Sequence, residues 1–447
     1  MRSNVDMTQG KPLTVIFSFA LPLLVGNLFN QLYNVVDTAI VGRALGADAL
    51  AAVGSTGNIN ACLFLLLGGL STGVGVIVAQ YWGAQRYEAL RRLLGTFFTL
   101  LLAGAALLSV LGVALAAPIL RLLQIPADLL GMGVTYLSIT AGLLLGNALY
   151  NAASAVLRST GDSRTPLAAM AASSLCNIVL DLWYILGLRM GVAGAALATV
   201  AAQFLSALIC LWVLWRRKEP FAFASVRLCF NSEDAALILR FGLPTALQSC
   251  MITLGGMTVQ GIVNSFGSVT MAAYTAVQRI DSLTIQVVVS VSNALAVYTG
   301  QNMGRRDIDR VRQGLRATLK ALCVICLGLA LAVFASRRLL LSIFLDPATD
   351  AASIAQGADF LSVMGFAYII AAVMNSYLNV LRGAGDVNVS LIAGLFEMGA
   401  RLAFAGLLAP CLGVWGIWLA TPLSWASGCI IPVARYYSKE WMKKALL

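Results

Sequence analysis

Apolar segments of about 20 residues recur along the whole of this 447-residue chain, and they restrict its fold more than any other feature. A helix of about 20 apolar residues is long enough to cross the hydrocarbon core of a bilayer. Hydrophobic residues make up 60% of the sequence and charged residues 11%, whereas a soluble domain carries about 25% charged residues. The pattern predicts an all-α polytopic membrane protein.

Hydropathy predicts twelve spans, six on each side of one polar stretch. The first six lie near residues 13–41, 50–79, 93–117, 128–153, 166–187 and 191–215. The second six lie near residues 236–263, 270–300, 314–336, 351–378, 389–410 and 413–434. We therefore expect an N-lobe over residues 1–218, a cytoplasmic inter-lobe loop over 219–235 and a C-lobe over 236–447.

The distribution of Lys and Arg predicts the orientation. Of the 30 basic residues, 23 lie on the side that holds both termini, two lie inside spans (Arg279 and Arg401), and five lie on the opposite side: Arg43, Arg121, Arg189, Arg337 and Arg338. Basic residues concentrate on the cytoplasmic side of membrane proteins, so both termini are expected in the cytoplasm. This distribution accounts for the net charge of +11 without a nucleic-acid partner.

The two halves are related by an internal repeat at an offset near 221 residues. The matched positions are Pro22 with Pro244, Gly46 with Gly267, and V-L-R-S-T-G-D at 156–162 with V-L-R-G-A-G-D at 380–386. Each half holds six spans, so the repeats share one orientation in the membrane. This arrangement is typical of carriers that work by alternating access around a midplane site.

A family resemblance rests on four motifs that occur in order: D-T-A-I-V-G-R at 37–43, A-Q-Y-W-G-A at 79–84, L-R-S-T-G-D at 157–162 and L-R-G-A-G-D at 381–386. Together with the length and the duplication, they resemble the multidrug and toxic compound extrusion (MATE) family, in its DinF-like bacterial branch. The resemblance covers essentially the whole chain. It implies a V-shaped pair of pseudo-symmetric six-helix lobes around a central cavity.

The same resemblance implies an antiporter of the bacterial inner membrane that exports drugs or metabolites against inward H⁺ or Na⁺. A small organic cation is the expected substrate, and a monomer in the lipid bilayer is the expected state. The sequence has no P-loop, which fits a secondary carrier that needs no cofactor besides its coupling ion.

Ionisable residues inside spans are costly in lipid and are therefore functional candidates. In the first half these are Asp37, with Arg43 as its nearest basic residue on the outer side, and Asp181, which follows Asn177 by one helical turn. Thr199 adds a hydroxyl from the sixth span. Two carboxylates in a poorly hydrated pocket cannot both stay ionised at low cost. We expect this set to hold one proton or one Na⁺.

The resemblance assigns the same four residues, Asp37, Asn177, Asp181 and Thr199, to an N-lobe cation site. It also matches Pro22 to a first-helix proline whose kink is proposed to change with protonation, although a proline in a span is often simply tolerated. The NorM-like branch places a Glu on the seventh helix, but this chain reads Q-S-C-M-I at 248–252. That difference favours the N-lobe site over a C-lobe one.

In the second half, four charged residues fall inside spans. Glu397 and Arg401 are four residues apart and are expected to pair, whereas Arg279 and Asp281 are two apart and face different sides of one helix. The four form a net-neutral charge network. It is either structural, or a second proton relay or substrate contact.

Other function classes are less consistent with the sequence. A lipid-linked oligosaccharide flippase of the same wider superfamily is the alternative, but such proteins usually have more spans and a strongly cationic cavity. A membrane enzyme would need a catalytic or metal site, and the chain has no histidine and no clustered polar motif. A channel is a further alternative, but the duplicated bundle and the isolated acids suit alternating access better.

Overall fold

A computed structural model of the chain describes residues 5–218 and 220–444. The helices are α1 (Pro12–Gly83), α2 (Tyr87–Leu122), α3 (Ala127–Gly142), α4 (Leu145–Ser159), α5 (Arg164–Asp181), α6 (Gly191–Arg216), α7 (Ser232–Asn264), α8 (Ser268–Gly304), α9 (Ile308–Ser342), α10 (Ala351–Ala384), α11 (Val387–Leu412) and α12 (Val414–Tyr437). A π-helix (Leu182–Gly187) continues α5, and 3-10 turns occur at Phe223–Ser225 and Glu440–Lys443. Glu219, the first residue of the predicted inter-lobe loop, and both chain ends lie outside the described residues.

Twelve crossings fit the helices of the described residues. Ten helices are long and apolar enough to cross a bilayer, and α3 and α4, bent by 44° at a short break, qualify together as one more. The 72 residues of α1 would extend about 108 Å, more than three times the hydrocarbon thickness. It is broken at Gly46 into α1a (residues 12–45) and α1b (47–83), which count as two crossings. Each span predicted by hydropathy overlaps one of these helical segments.

The break in α1 depends on a glycine. Gly46 has φ 89° and ψ −179°, and Gly267, its partner in the repeat, has φ 89° and ψ 175° just before α8. This backbone region is essentially restricted to glycine, because a Cβ atom would clash there. Both halves thus separate their first and second helices with the same conformation at matched positions, which supports the predicted duplication.

The fold consists of two compact units. The N-terminal unit contains Val5 and Val25–Ala246, and the C-terminal unit contains Asp6–Leu24 and the residues from Leu247 onward. The start of α1 therefore belongs to the C-terminal unit, and the start of α7 belongs to the N-terminal unit. These units follow spatial contacts, whereas the predicted lobes, divided at residues 219–235, follow the sequence repeat and remain a prediction.

Close helix packing explains why the start of α7 belongs to the N-terminal unit. Gly69 and Gly73 lie one turn apart on α1b and face α7. A Cβ atom on Gly69 would lie 2.3 Å from the Cα of Ala246, and one on Gly73 would lie 2.4 Å from the backbone oxygen of Phe241. Small residues at four-residue spacing allow membrane helices to approach this closely. A larger side chain at either position would force the two helices apart.

The C-terminal unit is packed around a stack of aromatic rings. The rings of Phe360 and Trp418 are 4.2 Å apart and nearly parallel, and Tyr274 stacks on Phe360 at 5.8 Å. All three side chains are buried, and they come from α8, α10 and α12. Stacked aromatic pairs stabilise a core beyond the area that they bury, so this stack fixes the three helices to one another.

The repeated G-D motifs form the same ion pair in each unit. Asp162 accepts hydrogen bonds from the backbone N–H groups of Arg164 and Thr165 at the start of α5, and it pairs with Arg217 just after α6. Asp386 precedes α11 and pairs with Arg435 near the end of α12, at 2.7 Å. Burial lowers the pKa of Arg217, and the adjacent carboxylate opposes that shift. In each half the motif therefore connects the start of the fifth helix to the end of the sixth.

Candidate functional site

The N-terminal unit contains a cavity of about 530 Å³, which is within the range of small-molecule sites. Asp37 and Thr199, two of the four residues predicted for the cation site, line it. No Lys or Arg lines it among the described residues. Its wall thus carries a carboxyl group with no basic side chain to neutralise it.

The structure places Asp37 and Asp181 side by side, within interaction distance of each other. The side chain of Asp181 is fully buried. Within the described residues, neither oxygen of Asp181 has a hydrogen-bond partner, and Oδ1 of Asp37 has none. Two carboxyl groups this close cannot both be ionised without a large penalty. The pair can therefore accept one positive charge.

Two tyrosines that the sequence analysis did not identify complete this part of the wall. Tyr33 of α1a and Tyr136 of α3 line the cavity, and both approach Thr199 and the two carboxyl groups. Tyr33 is four residues before Asp37, so the two lie on one face of α1a. The four-residue spacing was a usable signal, whereas the contribution of Tyr136 depends on the packing of α3 and could not be read from the sequence.

Asn177 lies one turn before Asp181 on α5 and is fully buried. Within the described residues, its side-chain nitrogen and oxygen both lack hydrogen-bond partners. Immediately after Asp181 the α-helix changes to the π-helix Leu182–Gly187. Short π-helical segments occur frequently at functional sites, because the wider turn realigns side chains and backbone carbonyls. The predicted set of Asp37, Asn177, Asp181 and Thr199 is thus distributed around one buried region.

The remaining cavity wall is rich in amides and hydroxyls. Thr140 donates to Asn60 at 3.0 Å, and Asn147 accepts from Asn151 at 2.9 Å, so part of the wall is internally satisfied. Gln203 Oε1 and the Tyr150 hydroxyl have no partner among the described residues, and both residues line the cavity. They can hydrogen-bond to a ligand or to water.

The C-terminal unit brings together three of the four charged residues predicted there. Arg401 donates to Glu397 at 2.6 Å and to the Ser424 hydroxyl at 3.3 Å. Asp281 is within electrostatic range of Arg401 and lies beside Tyr368. Arg279 is exposed and lines a separate groove on α8, because residues two apart on a helix point in different directions.

Three further residues named from the sequence have defined positions in the structure. Pro22 lies inside α1a, in the segment that belongs to the C-terminal unit. Gln248, which occupies the region where the NorM-like branch has a Glu, accepts a long hydrogen bond of 3.4 Å from Arg382. Arg43, the nearest basic residue to Asp37 in the sequence, forms no ion pair with Asp37 or with any other described residue.

The sequence matches the MatE family model over residues 22–183 and 244–407. The two matches fall in the two halves of the chain and together cover well over half of it. The chain belongs to the MATE family. This result confirms the resemblance inferred from the motifs, and it establishes a multi-pass membrane transporter rather than an enzyme.

Relatives match this MATE protein along its full length. It is 31% identical to the probable multidrug resistance protein YpnP of Bacillus subtilis over 441 residues, which is 98% of this chain and 97% of that protein. It is 28% identical to the probable multidrug resistance protein YoeA of the same organism over 438 residues, which is 96% of this chain and 94% of that protein.

A solved structure of a MOP superfamily transporter from Pyrococcus furiosus has the same fold. The TM-score is 0.91, the sequence identity is 21%, and the match covers 99% of each chain. At this identity the likeness concerns the fold alone. It confirms the predicted architecture of twelve helices in two lobes for this MATE transporter.

Proposed function

We propose that this protein exports small organic cations by antiport with H⁺ or Na⁺, through alternating access of its two halves. The observation that carries the proposal is the unpaired acid pair, fully buried Asp181 and half-buried Asp37, at a cavity that has no basic residue in its described wall. A coupling ion and a cationic substrate compete for the same negative charge, which is the minimum requirement for exchange.

The chemistry of the site supports each half of this cycle. A proton on one carboxyl group, or a Na⁺ held by the carboxylates with the Asn177 amide and the Thr199 hydroxyl, neutralises the pair. Neutral groups cross or reorient in the membrane at far lower cost than charged ones. When the cation leaves, the restored negative charge attracts a positively charged substrate to the cavity, where Tyr150 and Gln203 offer hydrogen bonds.

The names of the full-length relatives, both probable multidrug resistance proteins, support drug export. They do not favour the alternative, a lipid-linked oligosaccharide flippase. The excess of basic residues on the side of the termini supports both termini in the cytoplasm, and the family resemblance supports a location in the bacterial inner membrane.

The test is dye transport in liposomes that contain the purified protein. A fluorescent cation is followed under an imposed pH gradient and, separately, under a Na⁺ gradient, for wild type, Asp37→Asn and Asp181→Asn. Asp128→Asn is the matched control, because Asp128 is an exposed acid at the start of α3. We expect one gradient to drive dye movement in wild type and the control, and both site variants to fall to the level of protein-free liposomes.

The ion that drives transport identifies the coupling cation. Normal dye movement in both site variants would reject the N-terminal site and direct attention to Asp281 and Glu397. If wild type moves no cationic dye under either gradient, the assignment to cationic drugs is wrong.

A further inference from the structure

A second groove lies on the outside of the N-terminal unit, between α1a and the π-helix. Its volume is about 490 Å³, and its residues are all apolar except Arg43. Val35 and Leu186 are each 57% exposed and Leu182 is 44% exposed. Such exposure of large apolar side chains is expected where a protein faces lipid, because lipid tails are themselves apolar.

The groove has the dimensions of one lipid chain in one leaflet. Its α1a side runs from Val35 to Ala44, a rise of about 14 Å, which is about half of the hydrocarbon thickness of a bilayer. Arg43 is at the end of this run, close to the break at Gly46. Trp183, 56% exposed on the π-helix, is of the type that concentrates at the membrane interface. The charged end of the groove is thus at the interface and its apolar end is within the leaflet.

Arg43 has no acidic partner. It is exposed and forms no salt bridge with any described residue. A guanidinium binds phosphate oxygens in a bidentate geometry. A cationic substrate would be repelled by the same charge, so the groove and the cavity of the N-terminal unit differ in the ligand that they favour.

The same combination of one arginine with large apolar residues in a groove occurs twice in the C-terminal unit. A groove at the end of α9 is lined by Arg338 with Leu339 and Ile354, and a groove on α8 is lined by Arg279 with Met271 and Phe344. Each holds one arginine and no acidic residue among its described lining. Of the three groove arginines, Arg43 and Arg338 are among the five basic residues that the sequence predicts on the outer side, and Arg279 lies inside a predicted span.

We propose that the groove between α1a and the π-helix binds one anionic phospholipid. Its phosphate group pairs with Arg43, and one acyl chain lies along Ile40 and Leu186. Two residues of the groove are next to the acid pair in the chain, because Val36 precedes Asp37 and Leu182 follows Asp181. A bound lipid packs against both segments and stabilises the arrangement in which the two carboxyl groups are adjacent. This last effect, unlike lipid binding itself, bears on transport only if the proposed antiport is correct.

The experiment counts bound lipid by native mass spectrometry. The protein is taken from detergent that contains phosphatidylglycerol or the neutral phosphatidylcholine, and it is compared with two groove variants and one control. Arg43→Gln removes the charge, and Ala39→Phe fills the apolar part while it keeps Arg43. Arg121→Gln is the control, because Arg121 is exposed at the end of α2 on the same side and lines none of the three grooves.

We expect wild type and Arg121→Gln to bind phosphatidylglycerol in preference to phosphatidylcholine. A single basic residue near anionic lipid contributes an attraction that corresponds to about fivefold in affinity, so Arg43→Gln should bind about fivefold less. Ala39→Phe should show a similar loss although all charges remain, and this variant keeps the test valid if Arg43→Gln does not fold.

Three outcomes would overturn the proposal. If Arg43→Gln and Arg121→Gln lose equal amounts of bound phosphatidylglycerol, lipid binding depends on the general surface charge and not on the groove. Equal retention of both lipids by wild type would mean that the groove makes only non-specific bilayer contacts. Displacement of the lipid by the cationic dye would mean that the groove belongs to the transported substrate. Lipid binding is measured without an ion gradient, so its failure leaves the antiport proposal intact, and a failure of antiport leaves the lipid site intact.

Discussion

Asp181 and Asp162 are both fully buried acids of the N-terminal unit, but their surroundings are opposite. Asp162 has Arg217 and two backbone N–H groups as partners. Asp181 has no hydrogen-bond partner among the described residues and has another acid, Asp37, as its neighbour. A carboxyl group kept in the second environment reduces stability, and such costs are typical of functional positions. The comparison separates a structural acid from a functional one within one unit.

This comparison predicts that Asp181→Asn stabilises the protein while it abolishes coupled transport. The substitution replaces one of two adjacent acids with a neutral amide, which removes the cost of keeping two ionisable carboxyl groups together in a poorly hydrated place. The melting temperature of the variant in detergent at neutral pH should be higher than that of wild type. The buffer is sodium-free, because bound Na⁺ would stabilise wild type. Asp128→Asn should leave the melting temperature unchanged. A lower melting temperature for Asp181→Asn would show that the carboxyl group makes a stabilising contact in the native protein.

Sequence reasoning identified the two acids of the site, together with Asn177 and Thr199, and missed the two tyrosines. Asp37 and Asp181 are conspicuous because an acid in an apolar span has few structural roles. Tyr33 and Tyr136 approach the same carboxyl groups, but tyrosines are common in membrane helices and only the packed structure shows which ones face a cavity. Arg279 was grouped with Asp281 from its position in the span, and the structure places it in an exposed groove because the direction of a side chain depends on helix rotation.

At the scale of helices and their connections, the positions of the spans were predicted closely, because hydropathy reports burial in lipid directly. The π-helix after Asp181 was not predicted, since no residue pattern in L-W-Y-I-L-G distinguishes it from an α-helix. The assignment of the start of α7 to the N-terminal unit was also beyond the sequence. It depends on Gly69 and Gly73 meeting Phe241 and Ala246, which is a property of two helices and not of either alone.

The ion pairs that connect the fifth and sixth helices of each half allow a test at this scale. Asp162→Asn leaves the partly buried Arg217 without its carboxylate, and breaking a buried pair from one side costs about 3–5 kcal/mol. Asp386→Asn should lower the melting temperature by less, because Arg435 is more exposed than Arg217, at 32% against 18% of the side chain.

Asp309→Asn is the control for this series. Asp309 pairs with Arg312 on the surface of α9 and its side chain is 82% exposed, so its loss should cost less than about 1 kcal/mol. Equal effects for all three variants would mean that the G-D motif has no special structural role and that its repetition needs another explanation.

At the scale of the whole molecule, the duplication appears at several independent places. The Gly46 and Gly267 backbone breaks, the Asp162 and Asp386 ion pairs and the two family matches all recur at corresponding points of the halves. The titratable groups do not recur. In the N-terminal unit two acids are adjacent without an ion-pair partner, whereas Asp281 and Glu397 in the C-terminal unit lie near Arg401. This difference supports the proposed cycle, in which one half carries the coupling ion.

The orientation of the molecule can be tested with cysteines that the chain already has. Cys229 and Cys411 are exposed, and they are separated by α7 through α11. Five crossings would place them on opposite sides of the membrane, and the distribution of basic residues predicts that Cys229 is in the cytoplasm. In variants whose sole cysteine is Cys229 or Cys411, a membrane-impermeant maleimide added to intact cells should label Cys411 and spare Cys229, while a permeant maleimide should label both. If the impermeant maleimide labels Cys229 and not Cys411, the orientation is opposite to the predicted one. If it labels both equally, the number of crossings between them is not odd.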